Sequence, residues 1–408
     1  MTSMSWRYWL SFLLALFTLA LLPVLCLAAL AIPLWALHLW TAHMAFRFPH
    51  GLHYRHYPMF SGLFLRLLVC LFLLLIEFAL LFSLIKPLLA RRTLRSAAVT
   101  LDPSLQPSFF DYVSRIAEWL GVPAPQDIEV DCGLNASLRS GGGIWSALSR
   151  KPALRIGLPL VAALSARELA GVIAHELRHV RQGALLRLCF VLSRIHARLP
   201  RSSDEKDSWD KWIDRRSFSG TMLAIASSAN RCSRWITLVL LFPTRCSTSF
   251  LVREMERDAD GYEIQLAGSV AFESAITRLA TLAEALNRAS KDAQASWSLG
   301  RHLPDDFPAF VLLHESRLPA GVRDLVMARL LRGKTRLFDS HPSPGERILG
   351  ARAAGESGAF EGDAPASSLI PELDALSRRA TFAHYVVDLQ LNVDSANLRP
   401  VSAGQINQ

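Results

Sequence analysis

Trp9 to Leu37 runs without a single charged residue. That is longer than the roughly 20 residues a helix needs to cross the bilayer core, so the run predicts a first spanning helix over about 9–37. Leu67 to Ile85 predicts a second over about 67–85, broken only by Glu77, whose ionised form is costly in hydrocarbon and is expected to face protein. The pattern then changes. A connector leads into an amphipathic helix over Ser108–Leu120, closed by Gly121 and two prolines. Ile128 to Asp131 alternates apolar with polar, Asn135 to Leu138 continues the alternation, and Gly141 to Gly143 forms a flexible connection. Leu154 to Leu160 reads as a strand running into a helix. Ser165 and Glu168 are spaced as a capping box for the next helix, which carries Leu169 to His179.

Two further hydrophobic stretches, Leu185–Ile195 and Thr221–Pro243, are interrupted by arginines. Arg231 and Arg234 cut the second into pieces below spanning length, so about 184–243 is expected to form membrane-proximal amphipathic segments. The charged insert 200–217 between them reads as solvated. From Ser269 to Asn287 the period is helical, and from about Gly355 the composition turns to Gly, Ala, Ser and Pro, with one docking helix expected around Leu369–Leu391. The expected fold is mainly α with a small β-sheet (α+β). Its parts are an N-terminal transmembrane hairpin over 1–95, a folded domain over 96–352, and a linker and tail over 353–408.

Composition agrees with a membrane setting. Apolar residues make up 51% and charged residues 19%, against about 45–50% and 25% in an ordinary soluble domain. The net charge is 44 − 35 = +9. No nucleic-acid motif accompanies it, so no nucleic-acid partner is expected, and arginines flanking the spans suit acidic lipid head groups. Lys86, Arg91, Arg92 and Arg95 follow the second span and Arg7 precedes the first, against Arg47, Arg55 and Arg66 between them. Positive-inside logic places both ends in the cytoplasm. A cleaved secretory signal fits poorly, because the first run is about twice a normal signal core. Five of the twelve histidines (His38, His43, His50, His53, His56) fall between the spans at irregular spacing, which reads as a polar interface loop. The six cysteines form no Cys-x-x-Cys pair and are expected to be reduced.

Chemistry enters at His175-Glu-Leu-Arg-His179. Two histidines four apart on a helix project from one face, as two ligands of a tetrahedral zinc must. Glu176 between them is placed to take a proton from the attacking water without binding the metal. A catalytic zinc needs a third protein ligand, and Arg253-Glu-Met-Glu-Arg-Asp-Ala-Asp260 supplies candidates on another helix. With Glu256 as ligand, Asp260 falls one turn later, where it can accept the second N–H of a ligating histidine.

These residues resemble the integral-membrane zinc metalloproteases of the HtpX and CAAX-prenyl-protease type. The resemblance covers roughly 105–352 and rests on Ala174-His-Glu-Leu-Arg-His179, on Arg253-x-x-Glu256-x-x-Ala259-Asp260 and on His341-Pro-Ser-Pro-Gly-Glu-Arg347-Ile. It implies a zincin-type domain holding one zinc per chain on His175, His179 and Glu256, with Asp260 behind a ligand. It also implies that His341 lies near the substrate carbonyl, that Arg347 braces the acidic cluster, and that Asn135 and Ala136 belong to a substrate-binding edge strand that takes an extended peptide. The sequence departs from the family at Arg178, where a small residue is usual, and in the weaker hydrophobicity after the zinc helix. His314-Glu315 starts the same motif but Leu318 stands where the second histidine belongs. The expected activity is cleavage of membrane or misfolded proteins by an enzyme of the bacterial inner membrane with its catalytic domain in the cytoplasm. The contrasting expectation is a membrane scaffold or chaperone that holds clients at a metal site without cutting them.

Overall fold

The computed structural model describes residues 97–139, 153–181 and 220–401, with scattered helical positions between 9 and 78. The expected spans 9–37 and 67–85, the histidine loop between them and most of 184–219 lie largely outside the described residues. Among the described residues no helix is long and apolar enough to cross a membrane. The chain divides into two compact units, Met1–Arg91 with Cys189–Val252, and Arg92–Leu188 with Arg253–Gln408.

In the second unit, alternation builds the sheet. Strands β1 (Val99–Thr100), β2 (Asp127–Asp131), β3 (Ala136–Arg139) and β4 (Ala153–Gly157) lie in the order β1-β2-β4-β3. β2 and β4 run parallel, and β1 and β3 are antiparallel to their neighbours. Ile128, Val130, Leu154 and Ile156 turn to one face and are fully buried, while Glu129 and Arg155, paired in register, join on the other through bonds of 3.1 and 2.8 Å. β3 is an edge of this sheet among the described residues.

Helix α1 (Pro107–Leu120) buries Phe109, Tyr112, Val113, Ile116 and Leu120 along one stripe and stops at Gly121, which takes the left-handed conformation (φ 65°). The short α2 (Leu158–Ala163) leaves β4 and hands over to α3 (Ala166–Arg181). The expected capping box is present: Ser165 N donates to Glu168 (2.8 Å) and Glu168 N to Ser165 Oγ (3.2 Å). Tyr112 adds a bond from its hydroxyl to Ala166 O, fixing the start of α3 against α1. Leu169, Ala170, Ile173, Ala174 and Leu177 form the buried side of α3.

α4 (Gly220–Ala267) differs from the sequence expectation of separate pieces. It is one helix of 48 residues that includes Pro243. Arginine side chains do not interrupt backbone hydrogen bonding, and a single proline removes only one donor. Nearby hydroxyls occupy carbonyls of this turn, Ser247 bonding to Pro243 O (3.0 Å) and Thr248 to Arg245 O (3.3 Å). α4 ends at Gly268 (φ 92°), where an added Cβ would meet Ser357 O at 2.6 Å. The remaining helices are α5 (Ser269–Gly300), α6 (Phe307–Ser316), α7 (Ala320–Arg332), α8 (Pro344–Ala354) and α9 (Leu373–Ala383), and β5 (Leu303–Pro304) pairs with β6 (Leu398–Arg399).

The change of composition near Gly355 does not end the packed unit. Ala359 and Phe360 donate backbone bonds to Gln265 and Leu266, and Phe360 packs edge-on to Tyr112. Ala166 N bonds to Ala364 O (2.7 Å) and Ala366 N to Leu164 O (3.0 Å), bracketing the capping box. Ala366, Ile370 and Tyr385 are fully buried with the main core, and Tyr385 donates to Pro304 O. Residues 353–401 thus carry core contacts that their polar composition conceals. Ile370→Ala should cost about 2–5 kcal/mol, read as a drop in the unfolding temperature of the purified full chain; an unchanged midpoint would detach this segment from the core.

Candidate metal centre

Close packing of two helices makes the site. Gly171 on α3, one turn before His175, faces α4 so tightly that an added Cβ would lie 2.9 Å from Ala267 Cβ and 3.1 Å from Glu263 Cγ. This approach brings the polar edge of α3 against a stripe of α4 formed by Arg253, Glu256, Asp260 and Glu263, which recur at helical spacing. All four are buried in this otherwise apolar interior.

His175 is the hub. Its Nε2 is 3.2 Å from Glu256 Oε2, and its Nδ1 is 3.2 Å from both Asp260 Oδ1 and Glu263 Oε2. The two carboxylates bracket Nδ1, although neither makes a well-aligned hydrogen bond with it. His179 places Nε2 3.7 Å from the other oxygen of Glu256, and the two imidazoles meet edge to face at 5.3 Å. His341, from the loop between α7 and α8, puts Nδ1 2.9 Å from Glu256 Oε2 and keeps 55% of its side chain exposed. Arg347, in the first turn of α8, forks onto Asp260 (2.9 and 2.5 Å), lies 3.8 Å from Glu263, and covers the Phe272 ring at 5.4 Å.

The charges explain each other. Burial raises the Glu256 pKa, but hydrogen bonds to His175 and His341 outweigh it and hold the carboxyl well below its ordinary range. Burial likewise depresses His175, yet the carboxylates of Asp260, Glu256 and Glu263 win and hold the imidazole well above its usual value. Asp260 is kept low against its own burial by His175 and Arg347. Three buried carboxylates around one imidazole and one guanidinium form a pocket that attracts further positive charge.

Two groups of side chains here could hold a metal ion: His175, His179 and Glu256, and His175, Asp260 and Glu263. They use opposite nitrogens of His175. On the Nδ1 side a cation is already in place, the Arg347 guanidinium, and all three residues are buried. On the Nε2 side His179 is partly open and His341 reaches solvent, which leaves room for water and substrate. The second arrangement therefore fits a structural brace and the first fits a catalytic metal with an open position.

The structure places the remaining sequence candidates as follows. Glu176 lies half-buried on α3 between the two histidines. Asn135 precedes β3, its carbonyl accepting Gly157 N (2.7 Å), and Ala136 opens the strand opposite Ile156. Arg178, off the ligand face, is no bystander: it forks onto Asp258 (2.7 and 3.2 Å) and lies 4.0 Å over the Tyr262 ring, tying α3 to α4. Glu315 is held by Thr281 and Arg278, and His314 belongs to neither metal-ligand group. Sequence reasoning missed Glu263, although it continues the helical stripe through Glu256 and Asp260 three residues on. Arg347→Gln should weaken metal affinity about 10–100-fold, measured as zinc retained under graded chelator at unchanged helix content; wild-type affinity would remove Arg347 from the support of the site.

Comparison of the sequence with protein-family models matches residues 154–354 to peptidase family M48. Neither curated proteins nor solved structures gave a match. The matched segment contains both histidines, Glu176, the α4 stripe, His341 and Arg347, so the residues that the fold gathers at one point all lie within it. Residues 154–354 are thus a peptidase family M48 domain, and through it the chain is a metallopeptidase.

Proposed function

We propose that the chain is a zinc-dependent endopeptidase anchored in the bacterial inner membrane by the 9–37 and 67–85 segments, with its catalytic domain in the cytoplasm, and that it cleaves membrane-derived or misfolded proteins. One observation carries the reading: ligand atoms of His175, His179 and Glu256 all lie within 4.8 Å of one another, on a side of His175 that stays open. Two imidazoles and one carboxylate suit zinc, whose catalytic sites use three protein ligands. Zinc bound there would supply Lewis acidity and lower the pKa of water toward neutrality.

The chain's own residues do the rest. Asp260, anchored by Arg347, keeps the proton of His175 on Nδ1 and so presents Nε2 as the lone-pair side. Glu176 takes the proton of the attacking water and returns it to the leaving amine. His341, exposed enough to meet substrate, donates to the carbonyl oxygen as negative charge builds there. β3, entered through Asn135 and Ala136 and an edge of the sheet among the described residues, is the strand to which an extended peptide would add. Lipid enters as the partner of the arginine-flanked N-terminal segments.

Glu176→Gln should retain one zinc per chain and lose proteolysis of casein or an unfolded membrane protein by at least about 100-fold, within the usual size of general-base effects; undiminished cleavage would end the assignment and favour a non-cutting scaffold. A cytoplasm-active reporter fused after Arg95 should report, and the same reporter inserted in the 38–66 loop should be silent. The opposite pattern would reverse the topology.

A further inference from the structure

Of the residues gathered around Glu256, His341 comes from a loop rather than a helix, and its position depends on what holds that loop. The loop crosses from α7, which ends at Arg332, to α8, which starts at Pro344. Its far end is tied internally: Glu346 accepts Thr335 N (3.1 Å) and Thr335 Oγ1 (2.7 Å), and Thr335 Oγ1 accepts Ser343 N (2.8 Å). Its middle is tied to α4. Arg253 Nη1 donates to Leu337 O (2.9 Å), Asp339 O (3.0 Å) and Arg336 O (3.4 Å). Arg336 N in turn bonds to the Asp339 carboxylate (2.8 Å), so the four residues form a closed turn around the guanidinium.

Arg253 is 7% exposed. Three carbonyl dipoles converge on it in a place with little water, and without a cation they would repel one another. Arg253 also stands three residues before Glu256, one turn back along the same face of α4. The helix that presents the Glu256 carboxylate therefore fixes, through one side chain, the turn that ends two residues before His341. The 2.9 Å contact between His341 and Glu256 is measured along a single rigid ruler.

We propose that Arg253 is the positioning residue for His341, holding the 336–339 turn so that the imidazole stays beside Glu256 when a substrate carbonyl arrives. The inference rests on the reading of His341 as the carbonyl-binding group. Arg253 acts on catalysis only through that loop: it is not a metal ligand, and it does not touch the reacting atoms. A turn set loose would let His341 sample solvent, and a misplacement of about 1 Å in such a group costs on the order of 100-fold in rate.

The test is a double-mutant cycle on full-length, zinc-loaded protein, with Arg253→Ala, Arg253→Lys, His341→Ala and the double variant Arg253→Ala/His341→Ala. Arg253→Ala should lower kcat at least 10-fold with KM within about threefold of wild type, and should keep one zinc per chain. The double variant should be no worse than His341→Ala, within about threefold. Arg253→Lys, whose ammonium reaches some of the same carbonyls, should recover part of the loss. Hydrogen exchange of amides 336–341 should quicken in Arg253→Ala while α3 and α5 stay protected. If His341→Ala is impaired and the double variant loses the two factors multiplied, Arg253 works elsewhere and the inference fails. Loss of zinc from Arg253→Ala and Arg253→Lys would also overturn it, by placing the defect at the ligands. If His341→Ala cleaves like wild type while Glu176→Gln is dead, the reading of His341 fails instead, and the positioning role goes with it. Should Arg253→Ala not fold, the lysine variant and its combination with His341→Ala carry the same comparison.

Discussion

Burying three carboxylates on one face of α4 is the constraint from which the site follows. Glu256, Asp260 and Glu263 cannot all stay ionised in an apolar interior without positive partners. The fold supplies them from three directions: His175 from α3, Arg347 from α8, and His341 from the loop before it. Each partner also sets a geometry. Arg347 takes up the Asp260 side of His175, so the Glu256 side is the one left to a metal. Gly171 makes the encounter possible, because a side chain there would hold α3 and α4 apart and lengthen every distance in the cluster.

Catalytic competence in this arrangement is a matter of leftover charge. The carboxylates around His175 raise its affinity for a proton, and a divalent ion facing Nε2 would satisfy Glu256 and His179 at the same time. The supporting side of the site, Asp260, Glu263 and Arg347, is largely buried. The other side, with His179, Glu176 and His341, is half-open. Support and chemistry are thus segregated across a single imidazole ring, each nitrogen serving one of them.

Much of this was legible in the sequence where spacing alone decides. His175 and His179 at four residues, Glu256 and Asp260 at the same interval, and the capping box of Ser165 and Glu168 are local regularities, and the alternation through Ile128 and Leu154 marks strands without knowledge of their partners. What spacing could not reveal is contact across the fold. Glu263 looked like one more charge on a helix, because nothing in the chain near it says that His175 is opposite. Arg178 read as a tolerated departure until Asp258 and Tyr262 were seen around it. Pro243 and two arginines suggested interruptions that backbone hydrogen bonding overrides. The last fifty residues read as a tail because buried residues such as Ala366 and Ile370 are sparse there, while the core they join is built mostly by earlier elements.

The strand-like clasp between 364–366 and 164–166 has a temporal meaning. The backbone partners that bracket the start of α3 lie about two hundred residues later in the chain. During synthesis α3 emerges with its capping box but without its clasp, and Glu256, His341 and Arg347 follow in turn. The clasp on the start of α3 is thus made after every side chain of the His175 cluster. Just before residues 364–366 are made, every side chain of the His175 cluster is already in the chain but the start of α3 lacks its backbone partners, so assembly of the centre is coupled to a segment that contributes no group to it.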